Sequence, residues 1–150
     1  MKNTGSANIG YVIFLSIVAA LGGILFGYDT AVISGTTEIV KNQFQLKTIA
    51  EGWYVGCALI GSILGVMIAG MMSDNYGRKR TMLFSALLFS VSAIGCAVCK
   101  DFNQLVFFRI IGGFGIGIVS IVSPIYISEI APAQKRGTLV SLYQLAITIG

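Results

Sequence analysis

YVIFLSIVAALGGILFGYDTAVI, residues 11–33, decides the fold. As a helix it is long enough to cross a bilayer, which takes about 20 predominantly apolar residues. Yet it carries one formal charge, Asp29. A second stretch, QLVFFRIIGGFGIGIVSIVSPIYI at 104–127, repeats the pattern around a single Arg109 before Glu129 restores polarity. A lone ionised side chain at mid-bilayer costs roughly 2.5–3.5 kcal/mol on insertion scales, so each charge is a candidate functional residue.

Composition agrees with a membrane protein. Hydrophobic residues are 55% of the 150-residue chain and charged residues 11%, with a mean hydropathy of +0.85. A soluble domain carries about 25% charged residues. The net charge of +4 is confined to short loops and forms no continuous basic face, which excludes nucleic acid as a partner. There is no His, so proton chemistry must fall to a carboxylate. Cys57, Cys96 and Cys99 read as small hydrophobes: zinc lacks its nitrogen ligands, and a 96–99 disulfide would need awkward helical geometry. No metal and no cofactor is expected. An enzyme is not indicated either, since no nucleophile–base pair, metal cluster or phosphate loop is present.

Hydropathy draws four complete spans and part of a fifth, at about 10–34, 52–72, 81–99, 104–128 and 138–150. Helices are required, because an open strand edge would leave backbone groups unsatisfied in lipid. Lys2, Arg78, Lys79, Arg80, Lys135 and Arg136 fall on one side, and Lys41, Lys47 and Lys100 on the other. The excess of basic residues in short loops places the first side, with the N-terminus, in the cytoplasm. Trp53 and Tyr54 then start the second helix in the aromatic belt of the outer interface. Counted from the span ends, Asp29 and Arg109 lie at similar depth, and they can neutralise one another if helices 1 and 4 are neighbours.

The glycine pairs 23–27, 52–56, 61–65 and 113–117 have small-xxx-small spacing, which lets helix backbones approach closely. The run RIIGGFGIG lacks the spacing and the preceding strand of a dinucleotide loop. Pro124 is expected to bend helix 4 and Pro132 to help end it.

Four segments together resemble the sugar porter family of the major facilitator superfamily, in particular its bacterial sugar–proton symporters of the xylose type. They are GGILFGYDTAVISG at 22–35, G-x-x-x-D-x-x-G-R-K-R at 70–80, RIIGGFGIG at 109–117 and SPIYISEIAPAQKRG at 123–137. The resemblance implies an all-α membrane protein with twelve helices in two halves and a substrate site between them. On that plan residues 1–150 are an N-terminal fragment of the first six-helix half, ending inside helix 5, and would not transport alone. The partners implied are a monosaccharide, a proton, the lipid bilayer and the missing C-terminal helices. Helices 7, 8 and 10 would supply most sugar contacts. The location implied is a bacterial inner membrane.

Residue by residue, Asp29 matches the family's proton-coupling carboxylate and Arg109 its arginine partner on helix 4. Near Arg109 the carboxylate is held ionised; stranded in an apolar setting, it takes up a proton. Phe26 and Gln144 match positions that contact the sugar, through a ring face and an amide. Asp74, Arg78, Glu129 and Arg136 match a cytoplasmic ion-pair gate, although Asn75 stands where the motif often has a basic residue. The expected function is proton-coupled monosaccharide symport by alternating access. The alternatives are a facilitative uniporter on the same fold, which Asp29 argues against, and a non-transporting membrane fragment.

Overall fold

In a computed structural model, residues 9–150 are described and form five helices joined by short turns. They are α1 (Ile9–Phe44), α2 (Thr48–Tyr76), α3 (Arg78–Val98), α4 (Phe102–Ile130) and α5 (Arg136–Ile149). Four of them are long and apolar enough to span a membrane. Each helix of the expected set is present, and all five extend beyond their hydropathy boundaries at one end or both. The apolar run measures what lies in hydrocarbon, whereas the hydrogen-bonded helix continues into polar turns.

The largest difference is at α1, expected to end near 34 and found to run to Phe44. Its 36 residues would measure about 54 Å at 1.5 Å per residue, well beyond a hydrocarbon core of about 30 Å. Gly35 does not stop it. The hydroxyls of Thr36 and Thr37 donate to the carbonyls of Val32 and Ile33 one turn earlier, at 2.7 and 2.6 Å. Lys41 pairs with Glu51 of α2 at 2.8 Å and ties the extension down. At the other tight connection, α2 passes to α3 through Gly77 alone, at φ 84° and ψ 151°. That backbone region is essentially closed to side chains.

α4 is the centre of the bundle. Some 61% of its span is buried, against 22–33% for the other spanning helices. It packs against α2, α3, α1 and α5. Glycine makes the α2–α4 approach possible in both directions. A methyl at Gly61 or Gly65 would strike the backbone of Ile110 or Phe114, and one at Gly113 or Gly117 would strike Ala58 or Ser62. The matched order of these contacts shows that α2 and α4 run parallel. Gly23 and Gly27 similarly seat α1 on the carbonyls of Tyr143 and Ile147 in α5. The pair 52–56 is different: nothing lies within 4 Å of a side chain at either position, so it does no packing here.

The apolar core divides into two clusters, one around Ala69, Ile118 and Val122, the other around Ala19, Ile127, Leu139 and Tyr143. The opposite faces of α2 and α3 turn Leu59, Ile63, Met67, Leu83, Leu87 and Ile94 outward, each at least 59% exposed. A helix apolar on both faces suits lipid rather than water. Pro124 sits inside α4 without ending it, while α4 stops at Ile130, before Pro132. Ser85 and Ser92 of α3 stitch the third helix to α4 by donating to the carbonyls of Gly115 and Phe108 at 2.7 and 2.6 Å.

Candidate functional site

Arg109 is 8% exposed, about two turns into α4. Its Nη1 donates to the Tyr54 hydroxyl at 3.3 Å, and its guanidinium carbon lies 4.6 Å from the centre of the Tyr54 ring. Nε and Nη2 have no hydrogen-bond partner among the described residues. A buried unsatisfied donor costs about 1–3 kcal/mol, more when charged. A desolvated cation–π contact returns roughly 2 kcal/mol. Tyr54 therefore offsets part of the burial of Arg109, and the N–H donors of Nε and Nη2 stay available.

The Tyr54 hydroxyl also meets Thr36 Oγ1 of α1 at 3.0 Å. The Thr36 hydroxyl proton goes to the carbonyl of Val32 at 2.7 Å. Tyr54 must then donate to Thr36, which leaves its oxygen lone pair for Arg109. The result is a directed chain from Arg109 through Tyr54 and Thr36 to the α1 backbone, crossing three helices. Tyr54 is thus no belt residue: it is 3% exposed and faces the bundle, while its neighbour Trp53, at 49%, faces out.

Asp29 is half-buried on α1. The ion pairs within 4 Å among the described residues are Lys41–Glu51, Arg78–Asp74 and Arg78–Glu129; none joins Asp29 to Arg109. Helices α1 and α4 are neighbours, as the expected neutralisation requires, but direct pairing is not made in this conformation. The reason is register. The close contact of α1 with α4 is at Gly22, against Val119 and Ser123. Asp29 lies seven residues beyond that contact, and Arg109 ten to fourteen on the antiparallel helix. At 1.5 Å per residue the offset is roughly 5–10 Å, and Arg109 is joined to α1 through Tyr54 at Thr36 instead.

At the other end of the bundle, Arg78 forks between two helices. Nε and Nη2 reach the Glu129 carboxylate of α4 at 3.0–3.3 Å, and Nη1 donates to Asp74 and, at 2.9 Å, to Ser73 of α2. Asp74, Arg78 and Glu129 are thus brought together, but Arg136 is not. It begins α5, is exposed, and makes no ion pair among the described residues. Phe26 and Gln144 lie on the neighbouring helices α1 and α5, half-buried and exposed respectively. The Gln144 amide makes no hydrogen bond among the described residues.

Cys57 is buried, and Cys96 and Cys99 are half-buried, all as free thiols. No group of three or more His, Cys, Asp or Glu is arranged to hold a metal among the described residues. The side chains linked to Arg109 that sequence reasoning missed are Tyr54 and Thr36. A signal for Tyr54 existed: Tyr54, Cys57, Ala58, Gly61 and Gly65 share the buried face of α2. The spacing i, i+3, i+4, i+7 puts Tyr54 on the same stripe as the packing glycines.

Residues 15–150 match the family described as Sugar (and other) transporter. The chain is 46% identical over 147 residues to the arabinose-proton symporter of Bacillus subtilis, covering 98% of this chain and 32% of that one. It is 45% identical over 145 residues to the glucose transport protein of Synechocystis, covering 97% and 31%. Among solved structures it resembles the major facilitator superfamily proton:xylose symporter XylE bound to 6-bromo-6-deoxy-D-glucose. There the TM-score is 0.87 at 38% identity, over 95% of this chain and 35% of that one. The chain therefore spans about a third of the length of the relatives it matches.

Proposed function

The chain belongs to the sugar transporter family, and from that premise we propose that it supplies the N-terminal third of a proton-coupled monosaccharide symporter. One observation carries the coupling: a buried Arg109 whose Nε and Nη2 donors are unmatched shares a membrane bundle with the carboxylate of Asp29, and the two are unpaired. A protein that only needed to pack helices would have no use for either charge in hydrocarbon.

Asp29 is the proton site on this reading, and Arg109 is its conformation-sensitive modulator. With Arg109 near, the carboxylate is stable as an anion; with Arg109 engaged elsewhere, a proton removes the stranded charge. Phe26 and Gln144 are the sugar contacts within these helices, one offering a ring face and the other an amide that both donates and accepts. Asp74, Arg78 and Glu129 form a gate whose pairs break as the two halves of a twelve-helix carrier rock apart. Arg136 joins it only in a conformation that brings the start of α5 toward those carboxylates. The carrier sits in a bacterial inner membrane with Arg78, Lys79, Arg80, Lys135 and Arg136 on the cytoplasmic side, and it moves its substrate unchanged. Arabinose and xylose symporters among the relatives favour a monosaccharide and a proton as its partners.

The test is uptake of labelled xylose, glucose and galactose by vesicles holding the full-length protein, with and without an imposed proton gradient. Accumulation driven by the gradient and abolished in Asp29→Asn is the expected result. Equilibration indifferent to the gradient would make the protein a facilitative carrier.

A further inference from the structure

We propose that Tyr54 is a positioning residue for the proton-coupling pair, holding Arg109 off Asp29 through a hydroxyl that is itself anchored on α1 by Thr36. The proposal rests on the symport reading above and adds a third member to the site. Three geometric facts support it. The Tyr54 hydroxyl is the hydrogen-bond partner that Arg109 has among the described residues, and the ring lies against the same guanidinium. Tyr54 is buried, so water does not compete for that contact. The shorter bond of the Thr36 hydroxyl, donated to the carbonyl of Val32, orients the chain so that Tyr54 donates to Thr36. The Tyr54 oxygen therefore presents a lone pair toward Arg109.

A constraint on Arg109 follows from this arrangement. With one N–H on the Tyr54 oxygen and its flat face on the Tyr54 ring, the guanidinium is held where its remaining donors make no ion pair with the Asp29 carboxylate. Removing the Tyr54 hydroxyl frees the guanidinium to swing toward the carboxylate, which then holds its proton less tightly. Proton loading would require a more acidic outside. Because Thr36 belongs to the same helix as Asp29, a displacement of α1 would strain the Tyr54 tether and move the carboxylate together. Helix motion and proton affinity are thereby linked.

The titratable groups around Arg109 are Asp29 on α1, Tyr54 and Cys57 on α2, and Cys96 on α3. Thiols and phenols ordinarily titrate above about pH 8, so a shift in the acid-to-neutral range reports the carboxylate. The experiment is gradient-driven uptake of labelled xylose, glucose and galactose by vesicles holding the full-length protein, measured against external pH. Wild type is compared with Tyr54→Phe, Thr36→Val and Asp29→Asn.

Tyr54→Phe keeps the ring and loses the hydroxyl, and its half-maximal pH should move acid by about one unit. Thr36→Val, which removes only the anchor, should move it the same way by less. A merely structural Tyr54 would lower uptake at every pH and leave the midpoint unmoved. An unmoved or alkaline-shifted midpoint in Tyr54→Phe overturns the proposal while leaving symport intact, provided Asp29→Asn has lost accumulation. Should Tyr54→Phe fail to reach the membrane, an unmoved midpoint in Thr36→Val overturns it alone. Accumulation retained by Asp29→Asn overturns the symport reading and this inference with it.

Discussion

Arg109 is held by neutral partners, and this shapes what its replacement should do. Its planar fork can keep one N–H on Tyr54 while presenting others, and its flat face can lie on the ring. A lysine ammonium is a compact point charge on a different stem and reproduces neither geometry. Arg109→Lys in the full-length protein should therefore lose gradient-driven uptake by at least about tenfold, equivalent to about 1.4 kcal/mol. Equilibrium sugar binding should hold within about threefold, since the residue is assigned to coupling; loss of binding instead would place Arg109 in the sugar site. Asp29 and Arg109 were legible as candidates because a charge in an apolar run stands out on hydropathy alone. Tyr54 was not, because an aromatic at a helix start fits the membrane interface as well as it fits the bundle. Only its burial, at 3% exposure, separates the two.

Helix packing follows the backbone rather than side-chain bulk. The α2–α4 contact is made carbonyl against glycine, so it has no flexible atom to absorb an added methyl. Gly65→Ala should lower the thermal midpoint of the purified protein, by an overpacking penalty of about 1–3 kcal/mol. Gly56→Ala, on the same helix with open space around it, should be neutral or stabilising by up to about 1 kcal/mol, because alanine is the better helix former. Equal midpoints for the two variants would remove glycine contact as the basis of the pairing. The four-residue spacing gave no means of telling these pairs apart. Spacing places two glycines on one face, but which face meets a neighbour is settled by helices far away in the chain. The overrun of α1 has a similar origin: Glu51, beyond the turn, secures the last part of a helix whose apolar stretch ended near Ile33.

Across the whole molecule, the Arg78 cluster joins α2, the start of α3 and the end of α4 at one end, while the Arg109 chain joins α1, α2 and α4 toward the other. The two polar clusters are separated by the apolar bundle, so on the proposed reading each can loosen independently of the other. In the full-length protein, Arg78→Glu and Glu129→Arg should each reduce uptake severely. The double swap, which restores opposite charges, should recover a substantial part of it; no recovery would show that the contact is not energetically coupled. The motif at 70–80 and the acid at 129 marked this cluster through the family resemblance, but Arg136, marked in the same way, stays apart from it. What the sequence determined by itself is what the bilayer enforces locally: helical spans, their number, and the few charges out of place within them. The tertiary structure decided which face of each helix is inward, which glycines touch, and that Arg109 meets Tyr54 before Asp29. Hydropathy is a property of each segment alone, whereas side-chain partners depend on the register between helices, and a shift of one or two turns exchanges one partner for another.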